Sequence, residues 1–254
     1  MTTIGIIYPD HAAEDEYPTA AGRLGVRLPV VHVYGTDLHA VPELLDLGSP
    51  EKLAEGVSRL LTAVAADEVG PVRPGDAVDA VDAVDAVMWA CTSGSFVYGH
   101  EGVRQQADQL AEVAGVPAAS TSQSFVAAVT ALGVKRVAVA ASYPEEVAVL
   151  FTDFLAASGI EVVARGSAGI DTAAEVGSLD GARVTDLALQ NDHPAAEALL
   201  IPDTAMHTLD VLTAIENRLG KPVLTANQVT IWHGLRLAGS SVVSDRLGVL
   251  FSRV

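Results

Sequence analysis

The chain has 254 residues, 50% of them hydrophobic and 19% charged, with 32 Asp and Glu against 15 Lys and Arg for a formal net charge of −17. That apolar content excludes a disordered or fibrous chain, and the acidic balance leaves no basic stripe for nucleic acid and no attraction to an anionic membrane. The single cysteine, Cys91, excludes an internal disulfide framework. With no signal peptide and no membrane-length apolar run in view, a cytoplasmic protein is expected.

Short apolar runs alternate with amphipathic stretches along the chain, which predicts an α/β fold with parallel sheets. Residues 4–8 read as a buried strand ending at Pro9, and residues 28–34 as a second strand. Residues 50–66 carry Leu53, Val57, Leu60, Leu61 and Val64 at helical spacing, with Ser49 and Pro50 as start signals. Residues 76–87 repeat the triplet DAV, a solvated lead-in to a strand at 86–90. That strand ends in the polar loop Cys91-Thr92-Ser93-Gly94-Ser95, and a helix at 103–114 stops at Gly115.

Farther along, strands are predicted at 118–120, 136–140, 161–164, 198–201 and 223–225. Helices are predicted at 124–132, 145–157, 173–177, 184–190, 208–219 and 229–238. Within this series the pattern Gly115-x-Pro117-x-x-x-Thr121-Ser122-Gln123, followed by a helix closing at Gly133, is echoed by Gly220-x-Pro222-x-x-x-Ala226-Asn227-Gln228 and a helix closing at Gly239. Each copy follows a strand, a polar loop and a helix. The echo predicts two similar α/β halves facing each other across a cleft, divided near residue 118. Ligands of open α/β sheets bind beyond the carboxyl ends of strands, where both polar loops fall.

Cys91 follows a strand and precedes hydroxyl residues and a glycine, a setting in which oriented N–H groups can turn a thiol into a nucleophile or proton carrier. The same position also suits a small buried hydrophobe. Thr92 and Ser93 can hold a carboxylate or an enediolate-like charge, although Ser/Thr/Gly loops are also common plain turns. Asp203, flanked by Pro202 and Thr204, occupies the corresponding loop of the second half, either as a helix cap or as the opposite acid/base. Tyr143 offers a phenol after the strand at 136–140. His11, His207 and His233 stand without ligand spacing, and there is no GxGxxG, Walker, GxSxG or HExxH motif. Neither a metal nor a nucleotide cofactor is therefore expected.

Five blocks carry a family resemblance: IGIIYP (4–9), MWACTSGSF (88–96), GVPAASTSQSFVAAVTALGVKRVAVAASYPEEV (115–147), TLDVLTAIENRLGKPV (208–223) and WHGLRLAG (232–239). In these the chain resembles the arylmalonate decarboxylase and maleate cis–trans isomerase group of the aspartate/glutamate racemase superfamily. The resemblance implies two three-layer α/β lobes with parallel sheets related by a pseudo-two-fold, with the active site in the cleft between them: a first lobe of residues 1–118 completed by the C-terminal helical segment 229–254, and a second of residues 119–228. It also implies cofactor-independent chemistry at a carbon next to a carboxylate. By position it implies that Thr92, Ser93 and Tyr143 hold the substrate carboxylate and that Pro9 closes the pocket. Cys91 stands where racemases and maleate isomerases keep their first cysteine and the decarboxylase has glycine. Asp203 stands where all three activities use the second cysteine, so a two-thiol mechanism is excluded and the decarboxylase's own proton donor is missing.

The expected activity is therefore that of an isomerase, maleate-isomerase-like or racemase-like, acting through the Cys91 thiolate. Asp203 would serve the opposite face, and Thr204 would join the substrate contacts. A decarboxylase with Cys91 as proton donor is the alternative, and a carboxylate-binding module that has lost catalysis is another. The expected ligand is a small carboxylate or dicarboxylate, and the expected assembly a small homo-oligomer such as a homodimer.

Overall fold

The computed structural model describes residues 1–9, 11–69 and 84–252. The first eight residues of the DAV repeat, 76–83, lie outside them. Two four-stranded, all-parallel sheets form the frame. The first contains β1 (Ile4–Pro9), β2 (Val30–Val33), β3 (Ala86–Trp89) and β4 (Ala118–Ser120), in the order β2-β1-β3-β4. The second contains β5 (Arg136–Ala141), β6 (Glu161–Ser167), β7 (Ala198–Ile201) and β8 (Val223–Thr225), in the order β6-β5-β7-β8. The two orders are the same path traced twice, as the internal echo predicts.

The period-2 alternation of strand residues divides each sheet between two environments. Ile4, Ile6, Tyr8, Met88, Val137, Val139 and Leu200 face one core shared by both sheets. Ile7, Val87, Trp89 and Cys91 belong to a core on the other side of the first sheet, and Ala138, Leu199 and Ile201 to its counterpart in the second. Helices cover both faces, which gives each lobe its three layers. Fully buried rings such as Phe125 and Phe151 in the shared core each contribute ~1.5–3 kcal/mol by leaving water.

The echoed segments become two equivalent helices, α6 (Thr121–Leu132) and α11 (Ala226–Leu237), which pack on one another. Both start three residues earlier than periodicity predicts. The reason is local: Ser120 N–H donates to Gln123 Oε1 and Thr225 N–H to Gln228 Oε1, each at 3.1 Å, so strand turns into helix with no intervening loop. Helix α11 also returns to the first sheet, touching β1, β3 and β4. Gly234 makes that approach possible, because a Cβ there would stand 2.6 Å from Ile4 Cγ2.

Other elements depart from the sequence reading. Helices α1 (Glu16–Leu24) and α2 (Val41–Leu47) occupy stretches to which no element was assigned; Pro18 and Pro42 sit in their first turns, where a missing N–H costs little. The loop after Cys91 winds into a short helix, α4 (Ser93–Phe96). The helix expected at 208–219 begins only at Leu212 as α10 (Leu212–Leu219). The N–H groups of Thr208 and Leu209 are held by Glu16 Oε1 at 2.6 and 2.7 Å. Among the described residues, no helix is long and apolar enough to cross a membrane.

Candidate active site

Cys91 and Asp203 hold equivalent places, each two residues beyond the last residue of the third strand of its sheet, β3 and β7. Both line one cavity with Tyr8, Pro9, His39, Ser93, Thr204 and Ala205. Its empty space is ≈ 420 Å³ counted out to the open mouth. Leu38, Leu44, Leu47 and Ala173 make much of the remaining wall. Among the described residues lining the cavity there is no lysine or arginine, so an anion held there depends on uncharged donors and on His39.

The positions next to Cys91 and Asp203 are fixed by equivalent bonds from the paired helices. Ser122 Oγ donates to the Thr92 carbonyl (2.8 Å), and Asn227 Nδ2 donates to the Thr204 carbonyl (3.1 Å). Ser122 and Asn227 are the corresponding members of the sequence echo. On the first side, Gln106 ties the short helix α4 down: its Nε2 donates to the carbonyls of Gly94 (2.9 Å) and Gly48 (2.8 Å), and its Oε1 accepts from Ser95 Oγ.

Cys91 is buried, with 3% of its surface exposed. Its sulfur accepts the Gly94 N–H at 3.3 Å and has Ser93 Oγ at 3.8 Å. Burial pushes the thiol up to about 11, against the pull of the Gly94 and Ser93 donors, and the charge of Asp203 adds to the rise. At neutral pH the sulfur therefore keeps its proton. Gly94 leaves room here: a Cβ would stand 3.1 Å from Sγ and 3.2 Å from Trp89 Cζ2, so either neighbour would have to give by a few tenths of an ångström.

Asp203, equally buried, accepts the Ser142 hydroxyl on Oδ2 and the Ala205 N–H on Oδ1 (2.9 Å). His39 Nε2 lies 3.8 Å from Oδ2, and His39 Nδ1 donates to the Ile170 carbonyl at 3.0 Å. The segment carrying His39 is clasped across the cleft: His39 N–H donates to the Asp171 carbonyl, Ala173 N–H to the Asp37 carbonyl, and Leu38 bridges Thr172. The imidazole stands edge-on to Tyr143, with ring centroids 5.0 Å apart. Neither His39 nor Ser142 was among the residues singled out from the sequence. No local spacing marks His39, whereas Ser142 adjoins Tyr143 at a strand end and could have been found there.

Of the residues expected at the site, Pro9, Cys91, Ser93, Asp203 and Thr204 come together on the cavity wall. Thr92 and Tyr143 lie behind it. The Tyr143 hydroxyl donates to the Pro202 carbonyl (2.8 Å), and burial raises its pKa well above that of a free phenol, with Asp203 and Cys91 adding to the rise. The buried Thr92 hydroxyl faces the Tyr143 phenol and, with Ser93, opposes that rise. His11 is exposed and faces Glu14, and His207 is half-buried and faces Asp15. His233 Nδ1 meets Ser124 Oγ at 3.1 Å between α6 and α11.

The family model for arylmalonate decarboxylase matches residues 72–251. A curated arylmalonate decarboxylase from Bordetella bronchiseptica is 30% identical over 132 residues, 51% of this chain and 55% of that enzyme, so the chain spans about half the length of the curated relative it matches. Among solved structures, a liganded double variant of arylmalonate decarboxylase, with one glycine changed to cysteine and one cysteine to serine, superposes with a TM-score of 0.83. That match has 24% identity and covers 99% of both chains. A cysteine-to-serine variant of Nocardia farcinica maleate cis–trans isomerase, carrying a covalently bound succinylcysteine intermediate, gives a TM-score of 0.82 at 20% identity over 98% of each chain. At these identities the superpositions speak for the fold: two parallel-sheet lobes around a shared cleft. With the family model matched over well more than half of its length, the chain belongs to the arylmalonate decarboxylase family.

Proposed function

We propose that the protein is a cofactor-independent isomerase acting at the carbon next to a carboxylate, with Cys91 and the Asp203–His39 pair as its two proton-handling groups. The observation that carries this reading is the opening of Cys91 and Asp203 onto one cavity from equivalent strand ends. In the racemase-like form, one group removes the α-proton, the electron pair passes into the carboxylate as an enediolate, and the other group returns a proton. In the maleate-like form, the Cys91 proton passes to the Asp203–His39 pair and the sulfur bonds to one alkene carbon. The alkene electrons pass to the carbon bearing the other carboxylate, rotation follows, and expulsion of sulfur restores the alkene in trans. Ser93, with Thr92 and Tyr143 behind it and Thr204 and Pro9 beside it, forms the proposed carboxylate site.

The protonated state of Cys91 favours a second reading, decarboxylation of a malonate-type acid. There the bond to the leaving carboxylate breaks, carbon dioxide departs into the leucine-lined part of the cavity, and the Cys91 S–H protonates the enediolate left behind. A solved decarboxylase variant carries a glycine-to-cysteine change, and the family resemblance implies that Cys91 stands at that glycine's place, which supports this chemistry.

One experiment separates the readings. The protein is incubated in D₂O with maleate, with aryl- and alkylmalonates, and with single enantiomers of 2-aryl acids, and the products are followed by NMR. Fumarate, or deuterium exchange with loss of optical purity, supports the isomerase, and carbon dioxide release with a monodeuterated acid supports the decarboxylase. No turnover of any of these acids overturns the proposal and leaves a binding module. A cytoplasmic setting and a homodimeric assembly belong to the same proposal, the latter checked by light scattering.

A further inference from the structure

We propose that His11, Glu14 and His32 form a binding site for a divalent transition cation of the zinc type, outside the catalytic cavity. Among the described residues this is the sole group of three such side chains whose ligand atoms lie within 4.8 Å of one another. One carboxylate oxygen faces both rings: Glu14 Oε1 is 2.6 Å from His11 Nδ1 and 3.7 Å from His32 Nε2. The two imidazoles are themselves in contact, with centroids 4.2 Å apart. Two imidazole nitrogens and one carboxylate oxygen are the donor set that suits Zn²⁺, Co²⁺ or Ni²⁺ rather than Mg²⁺ or Ca²⁺.

The geometry is close to what such an ion requires. Metal–ligand bonds of about 2.0–2.1 Å at tetrahedral angles set the ligands about 3.3 Å apart. The His32–Glu14 pair already stands near that distance, and the His11–Glu14 hydrogen bond opens to it when a cation replaces the shared proton. Glu14 is aimed by its second oxygen, Oε2, which accepts the Ala12 N–H at 2.8 Å. His11 is largely exposed, so entry is open, while Glu14 and His32 are half-buried and restrained. His32 lies on β2, whereas His11 and Glu14 lie on the turn between β1 and α1. A bound ion would fasten that turn to the sheet and so hold Pro9 and Ala12, which line the cavity.

The test uses the untagged full chain and Zn²⁺ or Co²⁺ alone. Calorimetry is expected to show one Zn²⁺ per chain with micromolar or tighter affinity and a rise in Tm. Co²⁺ is expected to give visible bands of a four- or five-coordinate site. Glu14→Gln and His32→Gln should each weaken Zn²⁺ binding by at least ~10–100-fold, as should the exposed change His11→Ala, which leaves the metal-free Tm unaltered. His207→Gln, at the separate His207–Asp15 pair, should leave the affinity unchanged. Absence of binding below millimolar Zn²⁺, or binding that survives both Glu14→Gln and His32→Gln, overturns the proposal.

Discussion

His39 Nε2 faces Asp203 Oδ2 at 3.8 Å while its other nitrogen is committed to the Ile170 carbonyl. A carbonyl oxygen only accepts, so Nδ1 carries a hydrogen, and a neutral ring then presents a lone pair to the carboxyl group. A proton passed to this pair from the cavity would be shared between Nε2 and Oδ2 at the cavity wall. Such a proton would relieve the crowding of negative charge between Asp203 and a dicarboxylate. Asp203→Asn is expected to lower kcat by ~10²–10⁴-fold and His39→Gln to lower it as well. Unchanged rates in both variants would make the pair structural.

Cys91 should behave as a shielded thiol. With its titration pushed up to about 11, iodoacetamide modification at pH 7.5 is expected to be far slower than for a free cysteine, rising about tenfold per pH unit until near that value. Mass spectrometry of the modified protein reads this directly, and rapid labelling at neutral pH would contradict it. Cys91→Ser should abolish turnover, because a serine hydroxyl is a weaker acid than the thiol.

Gly94→Ala tests the approach of the backbone N–H to sulfur. The added methyl meets Cys91 Sγ at 3.1 Å and the Trp89 ring at 3.2 Å, so the loop must move. Overpacking of this kind costs about 1–3 kcal/mol. A lowered urea midpoint should accompany lost activity, whereas wild-type values for both would show that the loop gives way freely.

His233 gives the protein an acid-sensitive joint between α6 and α11. Burial lowers its folded pKa from 6.5 to about 4. Between those values the unfolded chain binds the proton and the folded chain does not. Stability from this group is thus complete above about pH 6.5 and is lost as pH falls toward 4, by about 3 kcal/mol in all. Urea unfolding at pH 7 and 4.5 should show the loss, and His233→Gln should reduce it; identical pH slopes in the two proteins would assign the acid sensitivity elsewhere.

The α/β class, the parallel sheets and the two-fold repeat were legible because their signals are local. Strands are short apolar runs, helices end at Gly115, Gly133 and Gly220 with left-handed backbone, and the paired Ser-x-x-Gln and Thr-x-x-Gln caps lie within four residues. Helices α1 and α2 were not legible, because a proline in a first turn looks the same in sequence as one that breaks a helix. The start of α10 depended on Glu16, a residue distant in sequence whose carboxylate claims two N–H groups.

By itself, then, the sequence determined where strands and helices run, that the pattern occurs twice, and that Cys91 and Asp203 follow corresponding strands. Tertiary structure alone decided that these two open onto one cavity, that His39 reaches Asp203 from the opposite lobe, and that His11, Glu14 and His32 converge. Hydrogen-bond periodicity acts over a few residues and leaves its mark in the order of amino acids. The meeting of side chains from separate elements is set by how the two sheets pack against each other, and no spacing along the chain records it.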